Sequence, residues 1–421
     1  MNSTTDRRGF LRTCAAGAAG ALLAGSASCS TADRSGADDT LSFTSWGFAE
    51  TRSSTAMREA CEVYTETTGL TVDERVYPYD KYLNQLVLSA RGGRMTGIVH
   101  IDEEWMSALA TAEVIKDLNP HVDTALYPRV IDKAGSYDGV RYAMPWTQSA
   151  LGIVTNGPML RDLGIDTSTF DDIDGFTRAL RRIKDSDGSL IPYAPCSAVT
   201  QLKDFIPWIW AFGGTVYESG EVTLGDPGSK DALDYWKMLL DDGLIQAGMD
   251  REGARTLFAQ QRTAIYDDAP QAIGVIPPQS SDPDIASKME VVRRPARDGE
   301  GHNLIWSQPL VALDDSEATV EALRIFSTDL RTQQIAFEGL GNPPTTIEAI
   351  ESPWFAEDSF HEQWNRVVVA SARRNPLWDF PIGSSAQRAH DEAIEQGLRG
   401  TVSSTQALKE GKEALMELLR G

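Results

Sequence analysis

The sequence predicts an α/β protein with two open, mainly parallel sheets, each flanked by helices. The chain has 421 residues, of which 41% are hydrophobic, enough to fill the cores of two or three domains. From Leu41 onward, strand-like and helix-like segments alternate, a pattern that is typical of parallel sheets covered by helices. The alternation pauses at residues 142–145 and then resumes, which indicates two sets of strands and helices.

The first set contains three predicted strands and three predicted helices. The strands are predicted at residues 41–45, 70–76 and 98–101. The helices are predicted at residues 53–68, 79–91 and 105–112. Ser53 or Ser54 can cap the first helix, and Gly69 ends it. Together these elements form a β-α-β-α-β run, which implies a parallel sheet.

The second set is less regular but has the same character. Strand-like segments are predicted at residues 151–154, 264–266 and 305–313, with a hairpin at 216–224. Helices are predicted at residues 176–183, 203–211, 230–240 and 318–330. Trp236 lies inside an amphipathic helix, so we expect it in the core. Trp208 and Trp210 are two apart on one helix and point in different directions, so at most one should face a cleft.

The charge balance excludes two classes of partner. The chain carries 39 Lys and Arg against 61 Asp and Glu, a net charge of −22. A sequence-independent nucleic-acid binder needs a basic face to neutralise phosphates, and adhesion to anionic lipid needs one too. We therefore expect no nucleic-acid partner, and we interpret the acidic surface as a device for solubility.

No metal or cofactor is expected. The five histidines are scattered, and no cysteine spacing matches a metal site. Cys61 falls on the apolar face of a predicted helix and is read as a small core residue. Cys61 and Cys196 lie 135 positions apart, and the sequence leaves open whether they pair.

No catalytic residues are expected either. The chain contains no Gly-x-Ser-x-Gly elbow, no His-Glu-x-x-His and no phosphate-binding glycine loop. Two adjacent carboxylate pairs, Asp102-Glu103 and Asp267-Asp268, could suggest a glycosidase. Adjacent residues rarely face each other across a bond, so the protein is predicted not to be an enzyme.

The N-terminal segment is predicted to be an export signal. Arg7 and Arg8 lie in the string DRRGFLR, which resembles the bacterial twin-arginine signal. The uncharged stretch that follows, at about 16 residues, has the length of a signal-peptide core and is shorter than the roughly 20 of a membrane span. Cys29 closes it and resembles a lipoprotein processing site, with plain cleavage as the alternative. Residues 1–28 are then the signal peptide and 29–39 a polar, flexible tether.

Six strings in the rest of the chain carry a family resemblance. In chain order they are TSWGF, GVRYAMPWTQSALGIVTN, FIPWIWAFGGTVYESGEVTLGDPGSKDALDYWKMLLDDGLI, RTAIYDDAP, IWSQPLVAL and ALRIFSTDLRTQQIAFEGLGNPPTT. Together they resemble the extracellular solute-binding proteins of bacterial ABC importers, specifically the sugar-binding type like the maltose-binding protein. The resemblance covers roughly residues 40–419.

The resemblance implies a periplasmic-binding-protein fold with two lobes and a ligand cleft between them. Lobe 1 would comprise residues 40–149 plus 307–343, and lobe 2 residues 150–306 plus 344–421. The chain would cross between lobes near residues 149–154, 306–312 and 341–345. This agrees with the two βα sets, because open α/β sheets bind ligands beyond the carboxyl ends of their strands.

A sugar site needs aromatic rings for the apolar faces of the sugar and polar groups for its hydroxyls. Trp46 follows the first predicted strand. The resemblance implies that the carboxylates after two other strands, Asp102-Glu103 and Asp267-Asp268, and the C-terminal loop residue Trp378 contact the ligand. Asp102 could equally be a helix N-cap. The candidate ligand-binding residues are Trp46, Asp102, Glu103, Trp146, Trp210, Asp267, Asp268, Trp306 and Trp378.

The expected function is capture of a carbohydrate, with an oligosaccharide favoured, and its delivery to the permease subunits of an ABC importer. The protein would be a monomer, held at the outer face of the cell membrane by lipid on Cys29. Capture of a cationic solute such as a polyamine stays open, because an acidic cleft with tryptophans suits a cation. A secreted glycoside hydrolase is a more remote alternative.

Overall fold

The computed structural model describes residues 40–50, 53–93, 95–147 and 149–420. The predicted export signal with Arg7 and Arg8, the lipidation site Cys29 and the tether lie outside the described residues. Within those ranges, no helix combines the length and the apolar character needed to cross a membrane.

Fourteen strands are found in the described part of the chain. They are β1 (Thr40–Thr44), β2 (Thr71–Arg75), β3 (Ile98–His100), β4 (Ser136–Tyr137), β5 (Val140–Arg141), β6 (Ala143–Thr147), β7 (Ala150–Asn156), β8 (Tyr217–Glu218), β9 (Glu221–Val222), β10 (Ile265–Asp268), β11 (Met289–Val292), β12 (Asn303–Ile305), β13 (Gln308–Ala312) and β14 (Ala372–Arg373). Two five-stranded sheets and two short hairpins result.

The helices cover the faces of the two large sheets. They are α1 (Ser53–Thr68), α2 (Tyr82–Arg91), α3 (Met106–Thr111), α4 (Arg129–Ala134), α5 (Gly157–Asp162), α6 (Ile173–Ser186), α7 (Ile206–Ala211), α8 (Pro227–Asp241), α9 (Arg251–Ala259), α10 (Ala272–Val275), α11 (Ile285–Lys288), α12 (Glu317–Thr328), α13 (Leu330–Leu340), α14 (Ile347–Ile350), α15 (Pro353–Ala356), α16 (Ser359–Val367), α17 (Gly383–Leu398) and α18 (Ser404–Leu418). Short 3-10 turns precede several of them, including Tyr79–Lys81, Glu103–Trp105, Val199–Phe205 and Pro376–Asp379.

Local chemistry fixes several helix starts. Asp172 and Ser316 accept backbone N–H groups at the first turns of α6 and α12. Asp226 does the same for α8, whose first residue is Pro227. The predicted helix at 203–211 is α-helical only from Ile206, where proline again occupies the first turn.

The sheet of lobe 1 has the order β2-β1-β3-β13-β6. Strands β1, β2 and β3 are mutually parallel, and β13 runs antiparallel to both β3 and β6. Four strands therefore run in one direction and β13 in the other. Alternate residues of each strand enter two cores, one on each face: Leu310 packs with Phe43, and Val311 with Val99.

The sheet of lobe 2 is organised around β7. Strands β10, β11 and β12 all pair antiparallel with β7, and β14 pairs parallel with β12. Here too four strands share a direction and one opposes them. The expectation of mainly parallel sheets therefore holds for strand direction, but most hydrogen-bonded pairs in this sheet are antiparallel, because β7 lies between the others.

The two reversed strands are the ones next to the crossings between sheets. β6 of the first sheet leads directly to β7 of the second, and β12 of the second leads to β13 of the first. A chain that enters a sheet at its carboxyl edge must run away from that edge, which is why β7 and β13 oppose their neighbours. The two crossings are hydrogen-bonded to each other, since the Trp306 amide donates to the Ser149 carbonyl at 2.9 Å.

Two sequence expectations differ from the structure at these points. The segment 305–313, predicted as one strand, is split at Trp306 and Ser307 into β12 and β13, which belong to different sheets. The segment 318–330, predicted as one helix, ends at Thr328 because Asp329 turns to extended backbone and caps α13. The lobe boundaries themselves stay predictions.

Both described cysteines are free and buried. Cys61 packs in lobe 1 on α1, as expected, and burial raises the pKa of its thiol to about 12. The hairpin β8–β9 turns at Ser219 and Gly220, both with positive φ, which suits the tight two-residue turn predicted there.

Candidate ligand cleft between the two sheets

The candidate site lies where the strand ends of lobe 1 meet. β1, β2, β3 and β6 end at one edge of their sheet, and β13 begins there, because Gln308 pairs with Thr147. The residues just beyond these ends include Trp46, Tyr79, Asp102 and Gln308. Polar and aromatic side chains from four separate segments are thus brought to one place.

Asp102 is the centre of this group. Its side chain is fully buried, the Tyr79 hydroxyl donates to its Oδ2, and the Gln308 amide donates to its Oδ1 at 3.3 Å. Burial, with the nearby Glu104 charge, raises the pKa of Asp102 to about 7, against the opposing effects of Tyr79, Lys203 and Gln308. No side-chain cap bond is made to the following 3-10 turn, so the N-cap alternative lacks its hydrogen bond.

Trp46 is enclosed by other rings. His100 stacks on it with ring centroids 4.0 Å apart, and Tyr79, Tyr82 and Trp105 pack against its edges. Trp46 is only 5% exposed, whereas Tyr79 is 48% exposed. The ring of Tyr79 is therefore accessible at this edge, and the buried ring of Trp46 packs against it.

Glu103 joins the two lobes. Its Oε2 accepts from the Ser307 hydroxyl at 2.7 Å, and its Oε1 lies 2.7 Å from Nε of Arg374, which follows β14 in the other sheet. Burial raises the pKa of Glu103 and Arg374 opposes that rise. A carboxylate held in this way connects the two sheets at the base of the cleft rather than standing open to a solute.

The lobe 2 side of the cleft contributes Lys203 and the partly accessible ring of Trp306. The Lys203 ammonium lies 4.5 Å from the ring centroid of Trp306 and 5.9 Å from that of Trp378. Its charge acts on both Asp102 and Asp391. Across the described residues, Lys203 makes no ion pair or side-chain hydrogen bond, so its three donors are available.

The structure places Asp267 and Asp268 inside lobe 2, in a buried network of ion pairs. Asp267 lies 2.9 Å from Arg294 and accepts from Tyr193, and Asp268 lies 2.8 Å from Arg255. Both carboxylates are at the carboxyl end of β10, the edge the sequence indicated, but arginines take up their acceptor capacity. They are not brought together with Asp102.

Three predicted tryptophans also lie in cores in this structure. Trp146 packs against Phe43 and His100 in lobe 1. Trp210 and Trp378 belong to the main core of lobe 2, at 9% and 0% exposure. Trp306 is partly buried and keeps more of its surface accessible. Large apolar rings next to a cleft are drawn into the nearest core when neighbouring helices cover them.

Four residues of the site were missed from the sequence. Tyr79 and Gln308 begin elements at the cleft edge, Arg374 follows β14, and Lys203 lies inside the 3-10 turn Val199–Phe205. Tyr79 and Gln308 could have been found by asking which polar side chains lie just past β2 and at the start of β13. Lys203 and Arg374 carry no such signal, because the sequence pattern predicts neither the 3-10 turn around Lys203 nor the two-residue strand β14 before Arg374.

The fold and the site define a class: a two-lobed α/β binding protein with a polar and aromatic cleft between its lobes. The family model for bacterial extracellular solute-binding proteins matches residues 59–362. The chain therefore belongs to the bacterial extracellular solute-binding proteins.

Curated relatives give the same class with less detail. Proteins of Brucella abortus (strain 2308) and Brucella suis biovar 1 (strain 1330), each named as a binding protein, are 23% identical over 213 residues. The match covers 49% of this chain and 52% of each relative, so the chain spans about half the length of the curated relatives it matches.

Solved structures share the whole fold. The GacH receptor of Streptomyces glaucescens, solved unliganded and with acarbose, has a TM-score of 0.78 at 18% identity, over 90% of this chain and 98% of that one. The sugar-binding protein MalE of Xanthomonas citri has a TM-score of 0.79 at 15% identity, over 90% and 97%. UgpB of Mycobacterium tuberculosis, solved with glycerophosphocholine, has a TM-score of 0.76 at 18% identity, over 90% and 98%.

Proposed function

We propose that this protein captures a carbohydrate between its lobes, outside the cell membrane, and delivers it to the permease subunits of an ABC importer. The observation that carries the proposal is the convergence of Tyr79, Asp102 and Gln308 at the carboxyl edge of one sheet, with Lys203 and Trp306 on the facing lobe. The family, and relatives solved with acarbose or named as sugar-binding, support it.

The chemistry of this cluster suits a polyol. Asp102 accepts hydrogen bonds, the Gln308 amide both donates and accepts, and the Lys203 ammonium donates. A sugar hydroxyl can donate a hydrogen bond to Asp102 and accept one from Lys203 at the same time. The exposed ring of Tyr79 and the ring of Trp306 offer apolar faces for the C–H side of a pyranose.

A cationic solute fits this arrangement less well. Asp102 and Asp391 would attract it, but Lys203 already lies over the Trp306 ring and would repel a second cation. A phosphodiester remains the second candidate, since UgpB was solved with glycerophosphocholine and Lys203 can pair with an anionic group.

Hydrolysis is also disfavoured by the placement of the carboxylates. Asp102 is held by Tyr79 and Gln308, and Glu103 by Ser307 and Arg374. Neither pair of adjacent acids presents two free carboxyl groups across an open space, as acid–base hydrolysis of a glycosidic bond requires. We propose a transport role without catalysis.

A thermal-shift screen of the mature protein tests the proposal. The ligand set is mono- and oligosaccharides, polyamines, amino acids and glycerophosphodiesters. A ligand that binds only the folded protein raises its melting temperature, by RT ln(1 + [L]/Kd) in free energy. We expect saccharides to give the largest shifts. A shift confined to polyamines or to phosphodiesters would replace carbohydrate with that class.

The affinity for a neutral sugar should rise with pH. Asp102 titrates near neutrality because burial raises its pKa to about 7. Its ionised form accepts hydroxyl protons in stronger, charge-assisted bonds. Binding should therefore be weaker at pH 5.5 than at pH 8.5, with a midpoint near 7 in calorimetric titrations. Asp102→Asn should bind more weakly and lose this pH dependence; a variant with the unchanged pH profile would show that another group titrates.

We further propose that the lobes close by a hinge motion at the segments between β6 and β7 and between β12 and β13. The Trp306–Ser149 backbone bond links these two segments. The third predicted crossing, near residues 341–345, begins where α13 ends at Gly341 in the left-handed conformation. Thr345 there hydrogen-bonds to Gln333 and to the Pro145 carbonyl.

We propose that the protein is exported across the cell membrane by the twin-arginine route, on the basis of its family and its N-terminal sequence. Export should depend on Arg7 and Arg8, so replacing both with lysine should leave the precursor in the cytoplasm, as judged by fractionation and immunoblot. Normal export of that variant would show that the signal is not of the twin-arginine type.

Anchoring should depend on Cys29. Replacing it with alanine should move the exported protein from the membrane fraction to the soluble fraction, because lipid on this residue is the proposed anchor. Retention of the variant in the membrane fraction would reject the lipoprotein assignment.

A further inference from the structure

A cavity lies beside the crossing segments, outside the polar cluster around Asp102. It has a volume of about 440 Å³ and is lined by α4 on one side and by β12 and β14 on the other. Its apolar floor consists of Val130, Ala134, Ile305 and Ala372. Four cationic side chains line its walls: Arg129, Lys133, Arg373 and Arg374.

This concentration of positive charge contrasts with the rest of the molecule. The chain has a net charge of −22, and many of the arginines in the described residues are paired with carboxylates. Arg129, Lys133 and Arg373, in contrast, make no ion pair or side-chain hydrogen bond with any described residue. No acidic residue lines the cavity. Three of the four cations therefore converge without a carboxylate partner, and like charges that converge repel one another, so an anion bound among them would be favoured.

Arg374 supplies a second, independent observation. Its Nη1 donates to Asp379 at 2.6 Å and its Nε pairs with Glu103, but its Nη2 is buried without a hydrogen-bond partner among the residues described. A buried guanidinium N–H without an acceptor costs free energy. The charge of Arg373 also acts on His302, whose pKa is lowered by burial first and by Arg373 in addition.

We propose that this cavity binds a small multivalent oxyanion, such as a phosphate or a polycarboxylate. The carboxylate or phosphate oxygens would accept from Arg129, Lys133 and Arg373, and the apolar floor would take the carbon skeleton of an organic anion. The volume suits a molecule of roughly the size of citrate or a phosphorylated triose. Because α4 precedes β6 of lobe 1 whereas β12 and β14 belong to the lobe 2 sheet, the anion would contact both.

Calorimetric titration of the mature protein with citrate, and separately with inorganic phosphate, tests this proposal. Ionic strength is held constant with chloride, so that general screening does not change. The test variant is Lys133→Ala/Arg373→Ala; both side chains are exposed, so folding should be preserved. The matched control is Arg178→Ala/Arg182→Ala, which removes two exposed, unpaired cations from α6, away from the cavity.

We expect saturable one-to-one binding to the unmodified protein, weakened about tenfold or more in the cavity variant and unchanged in the control. Two outcomes would overturn the proposal. One is the absence of saturable binding of either anion to the unmodified protein. The other is an equal effect of the two double substitutions, which would mean that net charge, not the cavity, governs binding.

Discussion

Replacing Trp306 with alanine is expected to weaken carbohydrate binding about 30- to 1,000-fold, equivalent to about 2–4 kcal/mol. Trp306 stands at the crossing between the sheets, is partly accessible, and faces Lys203 at 4.5 Å. Removing its ring would delete an apolar platform from the proposed site, which closure of the lobes would desolvate. Calorimetric titration with the saccharide that gives the largest thermal shift measures the loss.

Trp236→Ala is the matched control for this substitution. Trp236 is fully buried and packs against Phe205 and Trp208 in the core of lobe 2. Its removal should lower the free energy of unfolding by about 3–5 kcal/mol and leave the affinity of the folded fraction almost unchanged. Trp306→Ala should show the reverse pattern. Unchanged affinity in Trp306→Ala would remove the ring from the proposed platform.

Breaking the buried ion pair between Arg294 and Asp267 in lobe 2 should lower the stability of the fold strongly. Arg294 and Asp267 are each 1% exposed and lie 2.9 Å apart. Arg294→Met keeps most of the side-chain volume but leaves the carboxylate unpaired, which should cost about 3–5 kcal/mol. Chemical denaturation at pH 8 measures this loss.

The pH dependence of the stability of Arg294→Met shows whether the unpaired Asp267 carboxylate causes the loss. Burial raises the pKa of Asp267, and the charge of Arg294 opposes that rise. Because Arg294→Met removes the opposing charge, the pKa of Asp267 should be higher in the variant than in the unmodified protein. A raised carboxyl pKa in the folded state means that stability falls as pH rises from the unfolded value near 4 towards the folded value. Arg294→Met should therefore be less destabilised at pH 5 than at pH 8.

Two companion variants separate charge from packing. Arg294→Met/Asp267→Asn removes both charges and should recover much of the loss. Arg297→Ala breaks an exposed pair with Asp231 and should cost less than about 1 kcal/mol. A loss in Arg294→Met that neither varies with pH nor recovers in the double variant would assign the effect to packing alone.

Much of the architecture could be predicted because the signals are local. Strands β1, β2 and β3 lie within a residue or two of their predicted positions, since alternation and glycine stops mark them. The hairpin at Ser219 and Gly220 has its own turn chemistry. The break between β12 and β13 was not predicted, because the short polar step at Ser307 and Gln308 does not by itself distinguish a change of sheet from a single strand.

The sequence predicted which sheet edges hold the candidate site, but not which side chains at those edges remain available to a ligand. Asp102 lies just after β3 and Asp267 lies near the end of β10, both at a carboxyl edge, and the sequence pattern gives the two acids the same expected role. The difference comes from Arg294, 27 positions away from Asp267, and from Gln308, more than 200 positions away from Asp102. Long-range partners decide whether a carboxylate is consumed by an ion pair or left to a ligand.

A crystal structure of the mature protein with the bound saccharide tests the central claim most directly. The proposal predicts the sugar between the carboxyl edges of the two sheets, with a hydroxyl within hydrogen-bond distance of Asp102, another within reach of Lys203, and one pyranose face on Trp306 or Tyr79. A saccharide that contacts only one lobe, or that lies away from Asp102 and Lys203, would contradict capture in this cleft.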